Sequence, residues 1–486
     1  MSHHFVRTLI AIICISLPAQ ADVLIHSGPA DFILGGDVKT DEQDTVVVAG
    51  AITARPNEEY LYYYSSNNGI IWEELLYGMT SDTMLTRIFP FIGDGDSAAF
   101  YWLFDCEEDF PNTLGLNMER LYGSSGTFIN FGPDELPCHD FAGCTDHPGA
   151  QHYIYIVVSD TTPGSTRARL FFQRSTNYGS DFFPPIDSFY QPARNLYLAG
   201  GTGRYVYFAG VAGPNRDTLL LWINRNRLEP GNWTFHRFTF DGDRIENPAI
   251  AAGFNAADSL ATVWCAFARN RNNSGNWDID YIYSTNGGHS WSGVRTLAGD
   301  PEAEERFFDL QPRRYGTAGE VTVAYLKSSS AGNQIFISRV FAAEPENWST
   351  PLRMNEHEAA AGWGVRPKVC YLPGLPDVMA GVVYLKKDSS GCYWSSLYPG
   401  IAEFTPATAP RTGKYRVLPG AGIGPFRIDG AGEKDRITVA DASGRVVAYG
   451  RNGFWDGKRI DGSPLPAGVY LVQVNREPAG TVIITR

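Results

Sequence analysis

Charge is scarce in this chain of 486 residues: 19% are Asp, Glu, Lys or Arg, and the acids outnumber the bases to leave a net charge of −13. Without a basic excess the chain has no general affinity for polyanions, so neither nucleic acid nor an anionic membrane surface is an expected partner. Methionine (6) and histidine (9) are also few, and no helical apolar period runs along the chain. After the first 21 residues no stretch approaches the ~18 uninterrupted apolar residues of a membrane-spanning helix, so the mature chain is expected to have none. No Ser/His/Asp order, zinc-protease motif or phosphate loop occurs. What the chain has instead is 51 glycines, 30 prolines, 13% aromatics and 43% hydrophobic residues. That is too apolar for disorder, and it favours short strands joined by tight turns.

Arg7, the apolar run 9–17 and the small residues of Ala19-Gln20-Ala21 form a secretory signal over residues 1–21, cut after Ala21. The mature protein is therefore expected to be secreted or held at the cell surface. Six cysteines survive the cut: Cys106, Cys138, Cys144, Cys265, Cys370 and Cys392. An even number in an oxidising compartment points to disulfides. Cys370 and Cys392 lie in neighbouring strand-like runs and are the expected pair. Cys106 is expected to join Cys138 or Cys144, whereas Cys265, inside an apolar run, reads as a buried thiol. Cys138, His139, Cys144, His147 and His152 are ligand types that suit zinc, but their irregular spacing and the exported context favour the disulfide. No metal or cofactor is assigned.

Three octapeptides repeat one pattern, Ser-x-Asn-x-Gly-x-x-aromatic. They carry Ser65, Asn67, Gly69 and Trp72, then Ser175, Asn177, Gly179 and Phe182, then Ser284, Asn286, Gly288 and Trp291. Each follows an alternating strand. Longer versions of the corner end at Trp233 and Trp348, Trp394 closes the series, and a degenerate unit is expected near Gly123 to Phe128. The spacing gives seven units of about 50 residues, the size of a four-stranded propeller blade. The last unit leaves little room for an outer strand, which the mature N-terminus (residues 22–26) could supply, closing the ring.

These octapeptides resemble the Asp box of the sialidase-type (BNR) repeat, with Asn in place of Asp. Both residues bond their own backbone in turns, and the resemblance implies a structural role remote from any active centre. In that family three arginines hold a substrate carboxylate, a Tyr assisted by Glu is the nucleophile, and an Asp is the acid/base. The family's Phe/Tyr-Arg-Ile-Pro motif is missing before the first box, so no catalytic residue is carried across. Arg87, Arg194, Arg313 and Arg366 sit at or beside the start of strands expected to line the channel, where converging guanidiniums could bind an anion. Glu304, Glu305 and Asp309 are their candidate partners. The Asp94-Gly95-Asp96 and Asp241-Gly242-Asp243 sequences read as turns rather than calcium loops.

Residues 402–413 read as a Thr/Pro/Ala linker, and residues 414–486 as a small all-β module. Its landmarks Asp441, Gly444, Arg445, Trp455-Asp456-Gly457, Gly468 and Tyr470 resemble the C-terminal sorting domain of type IX (Por) secretion. They also resemble the immunoglobulin-like domain of flagellar hook-capping proteins. The expectation is an all-β protein: a seven-bladed propeller over residues 22–401, six blades being the alternative, followed by a C-terminal immunoglobulin-like β-sandwich. The expected role is non-catalytic binding of an extracellular glycan or protein, with the secretion and surface-attachment machinery as partner of the tail. A diverged sialidase-like hydrolase and a structural surface component are the alternatives.

Overall fold

The structure is a computed structural model. It describes residues 22–484 apart from connecting segments, chiefly 27–31, 40–44, 54–58, 66–72, 78–84, 94–98, 108–113, 132–137, 146–152, 161–168, 178–181, 183–186, 254–260, 314–318, 371–379, 397–415 and 441–445. For the strands between residues 32 and 131 it gives the backbone pairing. Two compact units divide the chain, Ala19–Pro399 and a smaller one that includes Gly400–Arg486.

The larger unit holds seven four-stranded antiparallel sheets. Six are meanders, over residues 32–77, 85–131, 138–189, 194–239, 244–298 and 304–353. The first strand of each touches the first strand of the next. The contacts run from Phe32–Lys39 through Leu85–Gly93, Cys138–Thr145, Arg194–Gly200, Arg244–Gly253 and Glu304–Pro312 to Lys368–Cys370, and back to Phe32–Lys39. First strands therefore surround an axis and the sheets radiate from it as propeller blades. Burial follows that geometry. In the fourth blade Thr218–Asn224 is buried throughout, while the outer strand Trp233–Thr239 alternates between half-buried and exposed residues. The seventh blade takes three strands from Lys368–Cys370, Gly381–Leu385 and Cys392–Ser396, and its outer strand from the other end of the chain. Val23–His26 pairs antiparallel with Cys392–Ser396, Val23 facing Trp394. Trp394 is thus a strand residue rather than the corner its spacing suggests. In the second blade the expected corner near residue 123 is a two-residue connection, Tyr122 pairing with Ser125.

The third octapeptide shows how the corners work. Ser284 Oγ accepts the amides of Asn286 (3.3 Å) and Gly288 (2.8 Å) and donates to Asn286 Oδ1 at 2.8 Å. Asn286 Oδ1 then accepts the Ser290 amide at 3.0 Å. Gly288 has φ +89°, and a Cβ there would lie 2.8 Å from Ile223 of the preceding blade. Trp291 packs against the core. In the second octapeptide Ser175 Oγ likewise donates to Asn177 Oδ1 at 2.9 Å and accepts the Asn177 amide at 3.3 Å, and Phe182 again packs inward. Ser65 ends the strand Glu59–Ser65, while Asn67, Gly69, Trp72 and Gly179 lie outside the described residues. Asn fills the role of Asp because the turn needs only a side-chain acceptor at that position. Ser284→Ala leaves the buried Gly288 amide and the part-buried Asn286 amide short of their acceptor, so a loss of about 1–2 kcal/mol is expected in urea unfolding.

The cysteine expectations need correction. Cys144, Cys265 and Cys392 are buried thiols. Cys265 was expected to be one, but the Cys370–Cys392 pair is not formed. Cys370 faces Gly381 and Cys392 faces Leu385, at opposite ends of the strand between them. Four residues of rise plus two strand spacings put roughly 16 Å between them, far beyond disulfide reach. Burial pushes the Cys392 thiol up to about 12. Cys144 as a thiol also removes the Cys106–Cys144 bridge; Cys106 and Cys138 lie on strands whose side chains fall outside the description.

The smaller unit has a three-stranded sheet (Arg416–Leu418, Phe426–Asp429, Phe454–Trp455) and a five-stranded sheet that includes Ile437–Ala440, Val446–Gly450, Gly468–Val474 and Glu477–Ile484. Phe426, Ile428 and Trp455 from the first share a core with Ile437, Val439, Tyr470 and Val472 from the second, which makes it a sandwich. Tyr470 Oη donates to the Pro466 carbonyl at 2.9 Å, Asp456 accepts the Lys458 amide at 3.1 Å, and Gly457 has φ +76°. Gly468 opens its strand. Asp441, Gly444 and Arg445 lie outside the described residues.

Candidate functional site

In each blade the second strand returns antiparallel to the first. Starts of first strands and turns between second and third strands therefore share one face of the ring. Arg87 and Arg194 lie near such starts, opposite Asp105 and Val211, and Arg194 is exposed. Arg366 precedes Lys368–Cys370 and is 6% exposed. Arg313 does not belong with them. It follows the end of Glu304–Pro312, on the opposite face, and its guanidinium pairs with Glu320 at 3.1 Å.

The described residues that do converge are Arg216, Arg244 and Arg306. Arg216 lies on the turn between the second and third strands of the fourth blade, Arg244 starts the fifth blade, and Arg306 is near the start of the sixth. All three meet the buried carboxylate of Glu246: Arg216 at 3.1 Å, Arg244 at 2.5 Å, and Arg306 at 2.5 and 3.1 Å. Trp277, on the adjoining turn, lies beneath, with its ring centre 4.5 Å from the Arg306 guanidinium and 5.8 Å from that of Arg244. Sequence register explains the chain's aim. A bulge between Glu246 and Ala249 turns the start of the fifth blade, and a second between Glu305 and Phe308 does so in the sixth. The arginine side chains remain 30–40% exposed while Glu246 is 5% exposed. Three positive groups thus share one buried negative group and offer unsatisfied donors to solvent. Glu304 lies 3.8 Å from Arg306.

A neighbouring knot is balanced differently. Asp280 is fully buried and accepts Arg269 at 3.1 Å and Arg271 at 2.7 Å, while Asp243 accepts Arg269 and the Asn272 amide. Asp278 also meets Arg271. The Asp241–Asp243 turn is thus tied into ion pairs, in keeping with its reading as a turn.

The axis itself holds a buried polar set. Tyr197 reaches across from the fourth blade, its Oη donating to the Leu310 carbonyl of the sixth at 3.4 Å. Asp309 accepts the Val369 amide at 3.1 Å and Gln311 Nε2 at 3.2 Å, with Lys368 at 3.7 Å. Burial first, then Asp309, push the Tyr197 phenol well above its ordinary value, and Arg366 opposes the shift. A phenol held neutral in this way is a poor nucleophile.

Beside Arg306, Glu305 is 2% exposed and accepts the Asp300 amide at 3.3 Å. Burial raises its carboxyl to about 7, and its charge in turn helps raise the Tyr325 phenol. Because the folded value lies above the unfolded one, the protonated form is favoured by folding. Stability from this group is full below about pH 4.5 and falls as pH rises towards 7. Glu305→Gln should therefore gain stability over the parent at pH 8 and none at pH 4, a difference readable from urea midpoints at the two pH values.

Among the described residues Asp22, Glu356 and His357 each offer a ligand atom within 4.8 Å of the others. The strand starts flag Arg244 and Arg306 once their true boundaries are known. Arg216 carries no such signal, since only folding brings its turn to Glu246.

No family model matches the chain, and no curated protein matches it. Solved structures similar to it include an alpha-L-arabinanase of Penicillium chrysogenum (11% identity, TM-score 0.41, covering 78% of this chain and 98% of that one). Another is a mutant of the NanB sialidase of Streptococcus pneumoniae (12%, 0.41, 77% and 70%). A third is the intramolecular trans-sialidase of Ruminococcus gnavus (10%, 0.40, 79% and 98%).

Proposed function

We propose that the chain is an extracellular, non-catalytic binding module. Its propeller takes an acidic group of a glycan or protein on the face bearing Arg216, Arg244 and Arg306. Its C-terminal sandwich is an immunoglobulin-like sorting domain that passes the exported chain to the cell surface. The observation that carries the binding reading is the convergence of three part-exposed guanidiniums on the single buried carboxylate of Glu246. A carboxylate or sulfate arriving there meets prepositioned donors above an aromatic ring. The axial phenol, by contrast, is buried and bonded, which supports binding without turnover.

The test is an array of carboxylated, sulfated and neutral glycans and acidic peptides, probed with the mature chain at low and physiological salt. Retention on acidic members, weakened about tenfold by Arg216→Ala, is the expected result. Equal retention of neutral members would sink the reading. The hydrolase alternative has one observation on its side, the closeness of Glu305 and Tyr325 beside Arg306. Turnover of a fluorogenic sialoside, lost in Tyr325→Phe, would replace binding by catalysis. Deleting residues 414–486 should trap the propeller before the surface, and normal surface delivery of that truncation would remove the sorting role.

A further inference from the structure

The ring is clasped by the residue that follows the signal. Asp22 lies immediately before the outer strand Val23–His26 of the seventh blade. Its Oδ2 accepts the amides of Glu356 (2.8 Å) and His357 (3.4 Å) and the hydroxyl of Tyr384. Its Oδ1 is buried and has no hydrogen-bond partner. The carboxylate of Glu356 and the ring of His357 lie within 4.8 Å of the Asp22 carboxylate. No ion pair given by the described residues involves Asp22 or Glu356. Other polar groups facing the spot are Ser395, whose hydroxyl donates to the Met354 carbonyl at 2.8 Å, and Tyr393, whose ring centre is 4.6 Å from that of His357. Two carboxylates therefore share a part-buried spot beside the His357 ring with no Lys or Arg partner among the described residues, and burial raises both of them.

We propose that the missing cation is made by processing: hydrolysis of the Ala21–Asp22 bond leaves an α-ammonium on Asp22 that pairs with Glu356 and with Asp22 Oδ1, locking the closing strand in place. Water adds across the peptide bond, the new carboxylate departs with Ala21, and the new amine on Asp22 takes up a proton. The α-nitrogen is covalently close to its own carboxylate, so the group needs no search to reach the site. An ordinary α-amine titrates near 7.7–8.0, and one held by two carboxylates stays protonated to higher pH. The proposal rests on the reading of residues 1–21 as an export signal and is independent of what the arginine face binds.

The mature chain beginning at Asp22 is compared with the same chain acetylated on its α-amine, and each is repeated with Glu356→Gln. The α-amine is followed by isotope-edited NMR after reductive methylation, and unfolding by a thermal melt. The expected result is an amine titrating at least one pH unit above its ordinary range, returning towards that range in Glu356→Gln. Acetylation lowers the melting temperature of the parent and adds little in Glu356→Gln. An amine that titrates in the ordinary range, or equal melting of free and acetylated parents, would overturn the proposal. So would zinc stabilising the acetylated chain as much as the free amine does, since the cation would then be a metal. Secreted protein whose first residue by mass spectrometry is not Asp22 would also overturn it.

Discussion

Glu246→Ala is expected to lower the unfolding free energy by about 3 kcal/mol, because breaking a buried ion pair from one side strands its partners. Here the partners are three, all drawn from different blades: Arg216 from the fourth, Arg244 from the fifth and Arg306 from the sixth. Removing the carboxylate leaves three guanidiniums repelling one another over Trp277. Their exposure of 30–40% lets water relieve part of that cost, which keeps the figure at the lower end of the range for buried pairs. The loss has a signature that a packing defect lacks. Sulfate at tens of millimolar should restore more stability to the variant than to the parent, beyond its general stabilising effect, because the anion occupies the vacated place. Chloride at matched ionic strength controls for screening. If sulfate and chloride act alike on both proteins, the cluster is not an anion site.

Gly381→Ala should be about as damaging, through sterics alone. A Cβ at Gly381 would lie 2.2 Å from two ring carbons of Trp394, and that ring is 1% exposed, so it has nowhere to move. Trp394 stands opposite Val383 on one side and Val23 on the other. Displacing it strains the strand that the N-terminus must join. A cost of about 3 kcal/mol, the upper end for overpacking, is expected. A double-mutant cycle checks the cause: Trp394→Leu frees the space, so the pair Gly381→Ala/Trp394→Leu should lose much less than the sum of the single variants. Strict additivity would place the damage elsewhere.

Much of this fold was legible in the sequence because its corner hardware is local. Ser284, Asn286 and Gly288 bond within five residues of one another, so their spacing carries the whole mechanism. The site was legible in principle but misplaced by a boundary. The sequence reading puts Arg313 at or beside the start of a channel-lining strand. The bulge between Glu305 and Phe308 interrupts the alternation, and the strand in fact begins at Glu304, which selects Arg306. Arg216 and Glu246 were out of reach of any local pattern, since thirty residues and a blade boundary separate them. The cysteine pairing failed for a related reason. Cys370 and Cys392 follow one another closely in sequence, but Gly381–Leu385 lies between their strands and they face its opposite ends, a register set by the turns between strands.

The clasp between Val23–His26 and Cys392–Ser396 also orders events in time. During synthesis, which begins at the N-terminus, Val23–His26 waits for a partner about 370 residues behind it. Each meander can zip as soon as its own ~50 residues are out, since those contacts are local. Closing the long loop rather than a blade-sized one costs only ~2 kcal/mol more in chain entropy, so the delay is kinetic rather than energetic. During the wait the edge of Cys392–Ser396 and the tip of Val23–His26 are both open to strand addition by other chains. The seventh blade is therefore where crowding and slow synthesis would first divert this protein into strand-swapped oligomers.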